Sequence, residues 1–262
     1  MALAGAAERR STWCRCDIDV THRRQLRLAV GLVACAALAI ASAPWALAMP
    51  ALNFVFKPLA TLCIIAYAHG RGDDTLLRRW VLAGLWLSLA GDIALLWPEQ
   101  GFLPGLVSFL LAHLAYLVAF TRRRRLAHWW PAFALYAAVA GFILWRLWPG
   151  VPASLRVPVL AYVLCLASMA AQAAVLWRRG EARGALLACG GALFVVSDAL
   201  LATNKFAGPL PLANLWILMS YWAAQWCIAS WLAPRAASLP SSIQSAKSAE
   251  RPPRAESQAR SR

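Results

Sequence analysis

The chain contains eight apolar runs, each close to the length that an α-helix needs to cross a lipid bilayer. About 20 residues at about 1.5 Å per residue span a hydrocarbon core of about 30 Å. A helix satisfies its own backbone hydrogen bonds at that depth, where water is absent. The sequence therefore predicts an all-α polytopic membrane protein with eight transmembrane helices, over residues 28–49, 51–68, 80–97, 102–120, 129–148, 155–177, 184–203 and 213–233.

The distribution of positive charge predicts how these helices are oriented. The net charge is +15, which in a soluble protein would suggest a nucleic-acid partner. Here the arginines lie in short loops and tails, no soluble domain remains, and we expect no nucleic acid to bind. With the N-terminus inside, the inner segments hold 22 of the 26 lysines and arginines. The positive-inside rule therefore predicts that both ends of the chain lie in the cytoplasm, with the protein in the bacterial cytoplasmic membrane.

The two ends of the chain differ in composition from the apolar runs. Residues 1–27 form a basic tail, and residues 234–262 are rich in Ser, Arg and Pro and are predicted to be disordered. Ala41-Ser42-Ala43 resembles a signal-peptide cleavage site, but the charged region is long for a signal, so we favour a retained first helix. Cys14 and Cys16 have no histidine or cysteine partners nearby, and no metal site is predicted.

Two aspartates lie inside apolar runs, Asp92 in the third and Asp198 in the seventh. An ionised carboxylate at membrane depth costs about 2.5–3.5 kcal/mol on insertion scales, so such residues are functional candidates. Counting from the run ends puts each aspartate about five residues before the outer end of its span, and Lys57 about six residues deep. The three charges are therefore expected to share one layer in the outer half of the membrane.

This group of charges allows a structural and a catalytic interpretation. In the structural one, Lys57 pairs with one aspartate and the other polar groups form hydrogen bonds between helices. We favour the catalytic one, because one lysine cannot neutralise two carboxylates and one aspartate is then expected to hold a proton. A carboxyl that stays protonated near neutral pH can act as a general acid.

Helical spacing adds polar stripes that should face the interior, because lipid offers no hydrogen-bond partners. Asn53, Lys57 and Thr61 follow this spacing on the second span, and Gly84, Ser88 and Asp92 on the third. Further stripes comprise His113 and Tyr116 with Ser108 on the fourth span, and Asn214, Leu218, Tyr221 and Gln225 on the eighth. The segments AGDIALL and VSDALLA also suggest a weak internal repeat of four plus four helices.

Several longer motifs resemble a known family. They are FKPL at residues 56–59, LSLAGDIALL at 87–96, GLVSFLLAHLAY at 105–116, GALFVVSDALLATNKF at 191–206 and SYWAAQ at 220–225. With these motifs the chain resembles the YhhN-like lysoplasmalogenases, which are integral membrane proteins. The resemblance implies hydrolysis of the vinyl ether bond of a lysophospholipid, giving a fatty aldehyde and a glycerophospho-headgroup.

The resemblance also assigns roles to residues. It implies that Asp92 and Asp198 are catalytic and that no metal or organic cofactor is needed. The expected partners are a lysophospholipid substrate and membrane lipids. The side chains expected to contact the substrate are Lys57, Asn53, Ser108, His113, Tyr116, Asn204, Tyr221 and Gln225.

Two other functions fit the intramembrane charges. A proton-coupled transporter also uses membrane-embedded Asp and Lys and repeated halves, although Gly- or Pro-broken helices at matching places are missing here. A lipid-binding protein without turnover is the third possibility. The chain has no G-x-S-x-G, H-E-x-x-H or P-loop motif, which argues against a serine hydrolase, a zincin and a nucleotide-driven pump.

Overall fold

The computed structural model describes residues 23–43 and 46–234, and within these ranges the chain folds into eight α-helices. No β-strand occurs in this part of the chain, so the predicted all-α class is confirmed. The predicted tails beyond it, with Cys14 and Cys16, lie outside the described residues. The helices are α1 (Arg23–Ala41), α2 (Pro50–His69), α3 (Thr75–Ala94), α4 (Phe102–Thr121), α5 (Trp130–Leu147), α6 (Arg156–Arg178), α7 (Gly184–Phe206) and α8 (Ala213–Trp231).

The helix ends depart from the predicted runs where polar residues take part in the helix. α1 begins at Arg23, so the last five residues of the predicted basic tail are helical. α3 begins five residues before its apolar run, because the Asp74 carboxylate caps it by accepting from the backbone N–H groups of Leu76 (3.1 Å) and Leu77 (3.0 Å). Apolar composition alone does not show such capped polar turns.

Six of the eight helices in the described ranges are long and apolar enough to cross a membrane. The other two are α3 and α8. Any 18-residue window of α3 contains three charged residues, Arg78, Arg79 and Asp92. α8 is rich in Trp, Tyr, Asn and Gln, which lower its mean hydropathy. Eight membrane spans therefore remain a prediction, and length and composition support six of them.

The helices pack into one bundle in which most consecutive helices are neighbours, while α5 packs on α6 and α7 and not closely on α4. α3 packs most extensively against α4, and α7 against α8, while α6 contacts α4, α5 and α7. Gly190 and Gly191 allow the close approach of α7, since a Cβ on Gly190 would lie 3.0 Å from the Ala224 carbonyl oxygen of α8. A Cβ on Gly191 would lie 3.0 Å from the Cα of Ala170 in α6. α5 is the most peripheral of α2–α8 and buries only Ala132 and Leu147.

The C-terminal end of α8 is fixed by arginines from two loops. Arg71, which is buried, donates from Nε to the Leu232 carbonyl oxygen at 2.8 Å. Arg183 donates from Nη1 to the Ser230 carbonyl oxygen at 3.0 Å. These carbonyls have no partner within the helix, so the two side chains satisfy them. Arg71 comes from the first half of the chain, so its contact joins the two halves at this end of the bundle, while Arg183 and α8 both belong to the second half.

Candidate active site

A polar cavity of about 340 Å³ lies among the ends of α2, α3, α4, α7 and α8. Its volume is within the range of small-molecule sites. Asp92 and Asp198 both line it, although 105 residues separate them in the sequence. The other lining residues are Asn53, Lys57, Leu95, Leu96, Pro98, Phe102, Phe109, Ser197, Leu201, Asn204, Lys205, Asn214, Ile217, Leu218 and Tyr221.

The Asp92 carboxylate is held on both of its oxygens. Its side chain is almost fully buried, with 1% of the residue exposed. Oδ2 accepts hydrogen bonds from the Thr61 hydroxyl and the Tyr221 hydroxyl, each at 2.7 Å. Oδ1 lies 3.8 Å from the Nζ of Lys57, which is also buried. Two hydroxyl donors and a nearby cation all favour the charged form of this carboxyl group.

Both hydroxyl groups are oriented toward Asp92 by further hydrogen bonds. The Thr61 oxygen accepts from the indole N–H of Trp222 at 3.3 Å. The Tyr221 oxygen accepts from Nε2 of Gln225 at 3.3 Å, and Gln225 Oε1 in turn accepts from the Tyr116 hydroxyl at 2.6 Å. Since each hydroxyl accepts from one group, its own proton is free to point at the carboxylate.

Asp198 has a different environment. Its Oδ2 accepts one hydrogen bond, from the Tyr162 hydroxyl of α6 at 2.6 Å. The ion pairs of the described chain involve Lys57 with Asp92 and Arg123 with Glu181, and neither includes Asp198. An ionised carboxylate at this place would therefore have less compensation than Asp92 has.

An apolar cavity adjoins the polar one on the far side of Asp198. It lies between α4, α5, α6 and α7, and its volume is about 100 Å³. Four residues line both cavities: Phe102 and Phe109 from α4, and Asp198 and Leu201 from α7. Its other lining residues are Leu106, Tyr136, Ala140, Ile143, Leu144, Leu147, Val151, Val159, Tyr162, Val163, Leu166, Ala167, Val195, Ala199, Ala202 and Phe206.

The structure brings six of the ten predicted site residues to the polar cavity, and they are Asn53, Lys57, Asp92, Asp198, Asn204 and Tyr221. Tyr116 and Gln225 do not line it and reach Asp92 through Tyr221. The Ser108 hydroxyl donates to the Leu87 carbonyl oxygen at 2.7 Å. Substrate contact by Ser108, Tyr116 and Gln225 therefore stays a prediction, because none of the three lines the cavity.

His113 lies outside both cavities. It is fully buried, and its ring contacts Tyr162 and Phe194 edge-on, with ring centroids 5.3 and 4.8 Å away. Within residues 23–43 and 46–234, neither of its imidazole nitrogens has a hydrogen-bond partner. Its nearest link to the candidate site is through Tyr162, the hydrogen-bond partner of Asp198.

The predicted number of residues between each aspartate and the outer end of its helix was wrong. Each was expected about five residues before the outer end of its helix. Asp92 lies two residues before the end of α3, and Asp198 lies eight residues before the end of α7. α3 ends early, and α7 continues through the polar residues Thr203, Asn204 and Lys205. Helix length from apolar composition did not capture either effect, yet both carboxyl groups line one cavity.

Sequence reasoning missed several polar side chains of the site, of which Tyr162 and Lys205 matter most here. Tyr162 was part of an apolar run and received no role, although it is the only tyrosine of residues 155–177. Lys205 was counted only as an outer-loop cation, but it lines the polar cavity, and its Nζ lies 5.1 Å from the ring centroid of Phe102. Lys205 could have been found from the sequence, because it lies two helical turns after the intramembrane Asp198.

Comparison with known proteins supports the resemblance. The sequence model of the YhhN family matches residues 52–232, which include every residue of both cavities. The chain belongs to the YhhN family. Its fold and its apolar helices are those of an integral membrane protein, and the predicted family is confirmed.

Several curated relatives carry an enzyme name. Lysoplasmalogenase TMEM86B of Sus scrofa is 41% identical over 173 residues, which cover 64% of this chain and 69% of the relative. The protein of the same name from Homo sapiens is 34% identical over 64% of this chain and 70% of its own. A lysoplasmalogenase of Mycobacterium bovis is 31% identical over 55% of this chain and 56% of its own. No solved structure matches the chain.

Proposed function

We propose that this protein hydrolyses the vinyl ether bond of lysoplasmalogens, releasing a fatty aldehyde and a glycerophospho-headgroup. The names of its relatives support the reaction class. The observation that carries the proposal is that Asp198 lines both cavities, whereas Asp92 lines the polar one. A lysoplasmalogen is an amphiphile with one chain, and its vinyl ether group joins the polar part to the apolar part.

This arrangement gives the two carboxyl groups different tasks. The alkene carbon that must be protonated is the one on the chain side, which places it at the boundary where Asp198 lies. Asp198 accepts one hydroxyl hydrogen bond and lies in no described ion pair, so it is the better candidate for the neutral acid. Asp92, beside Lys57, is the better candidate for the carboxylate. The division resembles that of glycosidase carboxyl groups, one an acid and one a carboxylate.

The reaction then proceeds in three steps. Asp198 donates its proton to the chain-side alkene carbon, and the electron pair of the double bond forms the new C–H bond. The remaining cation is shared between the ether oxygen and its neighbouring carbon, next to the Asp92 carboxylate. Water adds to that carbon and loses a proton to a carboxylate, giving a hemiacetal. In the last step the hemiacetal hydroxyl gives its proton to a carboxylate as the aldehyde carbonyl forms, and the protonated carboxyl group gives its proton to the glycerol oxygen as the C–O bond to glycerol breaks.

The polar cavity offers a separate place for the phosphate. Lys57 is buried and lies 3.8 Å from Asp92, so its charge is already compensated. Lys205 is exposed and lies at the end of α7, in a wall that also contains Asn204 and Asn214. We assign phosphate binding to Lys205 and charge compensation of Asp92 to Lys57. The phosphate then lies toward the membrane surface, with the vinyl ether group below it.

The deciding experiment measures product from purified protein. A 1-alkenyl lysophospholipid should give free aldehyde, while the matched 1-alkyl lipid, which lacks the double bond, should remain intact. In D₂O, aldehyde that is trapped at once by borohydride reduction should carry one deuterium on the carbon next to the carbonyl carbon. A transporter or a lipid-binding protein without turnover would give no aldehyde. Aldehyde without deuterium would refute protonation of the alkene carbon.

A further inference from the structure

The apolar cavity adjoins the candidate site and shares four lining residues with it, but it has a different shape and chemistry. On α5 its lining runs from Tyr136 to Leu147, which corresponds to about 16 Å of helix. A volume of about 100 Å³ spread over this length makes the cavity narrow. Asp198 is the single charged residue that lines it among the described residues. An apolar space of this form fits one unbranched hydrocarbon chain.

The order of residues along the helices gives the direction of the cavity. From Asp198, the lining continues to Val195 on α7 and to Ala167 on α6. Both residues lie further than Asp198 from the end of the bundle that holds the polar cavity. On α5 the corresponding residues are Ala140 and Tyr136, nearer the start of that helix. A hydrocarbon chain that passes Asp198 therefore runs along the helix axes, away from Lys205 and toward the middle of the helices.

We propose that the apolar cavity binds the hydrocarbon chain of the substrate and that its inner end, at Tyr136, Ala140 and Ala167, sets the preferred chain length. The inference rests on the proposed function for the identity of the lipid. Its physical basis is the shared wall of the two cavities, which lets one molecule place its headgroup by Lys205 and its chain between α5 and α6. Lipid is as apolar as the cavity, so discrimination between chains depends on how many methylenes the cavity can hold and pack against.

The test uses two substitutions on α5 that add the same side chain to opposite faces. Ala140→Phe fills the cavity, while Ala138→Phe places the ring on an exposed face of the same helix. Ala140→Val is a milder version that keeps the test valid if the larger ring prevents folding. The probes are decyl and octadecyl 1-alkyl lysophospholipids, which lack the reacting double bond, and binding to purified protein is measured directly. Turnover is measured in parallel with 1-alkenyl lipids of the same two lengths.

Ala140→Phe should weaken binding of the octadecyl lipid about tenfold or more and weaken binding of the decyl lipid by clearly less, because the longer chain needs more of the cavity. Ala140→Val should change binding in the same direction by less, and Ala138→Phe should behave as wild type. Equal effects on both chain lengths, or equal effects of both phenylalanines, would overturn the chain-length inference. If wild type releases no aldehyde but Ala140→Phe still selects against the octadecyl lipid, the proposed reaction fails and the chain site stands. If wild type releases aldehyde but Ala140→Phe leaves the preference for chain length unchanged, the chain-length inference fails and the proposed reaction stands.

Discussion

The Tyr162 hydroxyl of α6 donates a 2.6 Å hydrogen bond to Asp198 of α7, and both residues line the apolar cavity. A hydrogen bond of this kind fixes the rotamer of the carboxyl group. Tyr162 is therefore a positioning residue for the proposed acid. Tyr162→Phe should lower kcat by about 10- to 100-fold, from the loss of about 1.5–3 kcal/mol, and leave KM within about twofold.

The control for this substitution is Tyr136→Phe, which removes a hydroxyl from the same cavity on α5. Steady-state aldehyde release and thermal unfolding of both variants separate an effect on catalysis from an effect on folding. An unchanged kcat in Tyr162→Phe would show that the hydrogen bond has no part in the reaction. An equal loss in both variants would point to a general effect of cavity hydroxyl groups.

Lys57 compensates the charge of Asp92 in a buried environment. Lys57→Met should abolish most turnover and lower stability by about 3–5 kcal/mol, because it leaves a buried charge without its partner. Lys57→Arg should keep part of the activity. The double variant Lys57→Met with Asp92→Asn should be more stable than Lys57→Met alone, since no uncompensated charge remains. A stable Lys57→Met protein with normal turnover would exclude Lys57 from the site.

Lys205 is assigned to the phosphate because it is exposed at the cavity wall. Lys205→Ala should raise KM about tenfold with kcat nearly unchanged, as expected when uniform binding is lost. The effect should disappear with a 1-alkenylglycerol substrate, which has no phosphate. Arg146→Ala is the matched control, because Arg146 is an exposed cation near the end of α5 and does not line the polar cavity. Equal KM effects on both substrates would rule out phosphate recognition by Lys205.

The charge distribution predicts that both ends of the chain lie in the cytoplasm. The loops that hold Arg71 and Arg183 lie at the same end of the bundle as the C-terminal end of α8, which both side chains contact. A reporter fused after Ala233 should therefore be active only in the cytoplasm, and the polar cavity should open on the opposite side. A reporter that is active outside would invert the topology and the side from which the substrate enters.

Much of the fold could be predicted from apolar runs alone, because helix length in a membrane is set by bilayer thickness. All eight helices begin within five residues of the start of a predicted run, and six of them, α2 and α4–α8, begin within one residue of it, a shift of the size expected at helix boundaries. The early start of α3 depends on the Asp74 cap and the late end of α7 on polar residues that remain helical. These effects are local and small in hydropathy. The late end of α7 changed the inferred depth of Asp198, and the early end of α3, at Ala94, changed that of Asp92.

The candidate site was only partly predictable. Asp92, Asp198 and Lys57 were visible because charge inside an apolar run is costly and rare. Tyr162 was not, since a tyrosine in a membrane helix is common and its hydroxyl partner is set by tertiary packing of α6 on α7. Tyr116 and Gln225 have the predicted spacing but face Tyr221 rather than the cavity. Helical periodicity identifies an inward face and does not distinguish a wet cavity from a packed interior.

The most direct test of the paired mechanism is aldehyde release by Asp92→Asn, Asp198→Asn and the double variant. Asparagine keeps shape and polarity but can neither supply the proton of Asp198 nor carry the negative charge of Asp92, so each single variant should lose about 100- to 10,000-fold in kcat. The activity of the wild type should fall at alkaline pH, as the acid loses its proton. Asp74→Asn, which keeps a helix cap, is the matched control. The account predicts that the double variant is no worse than either single one, because the two residues act as a unit. Near-normal aldehyde release by a folded Asp198→Asn protein would contradict it.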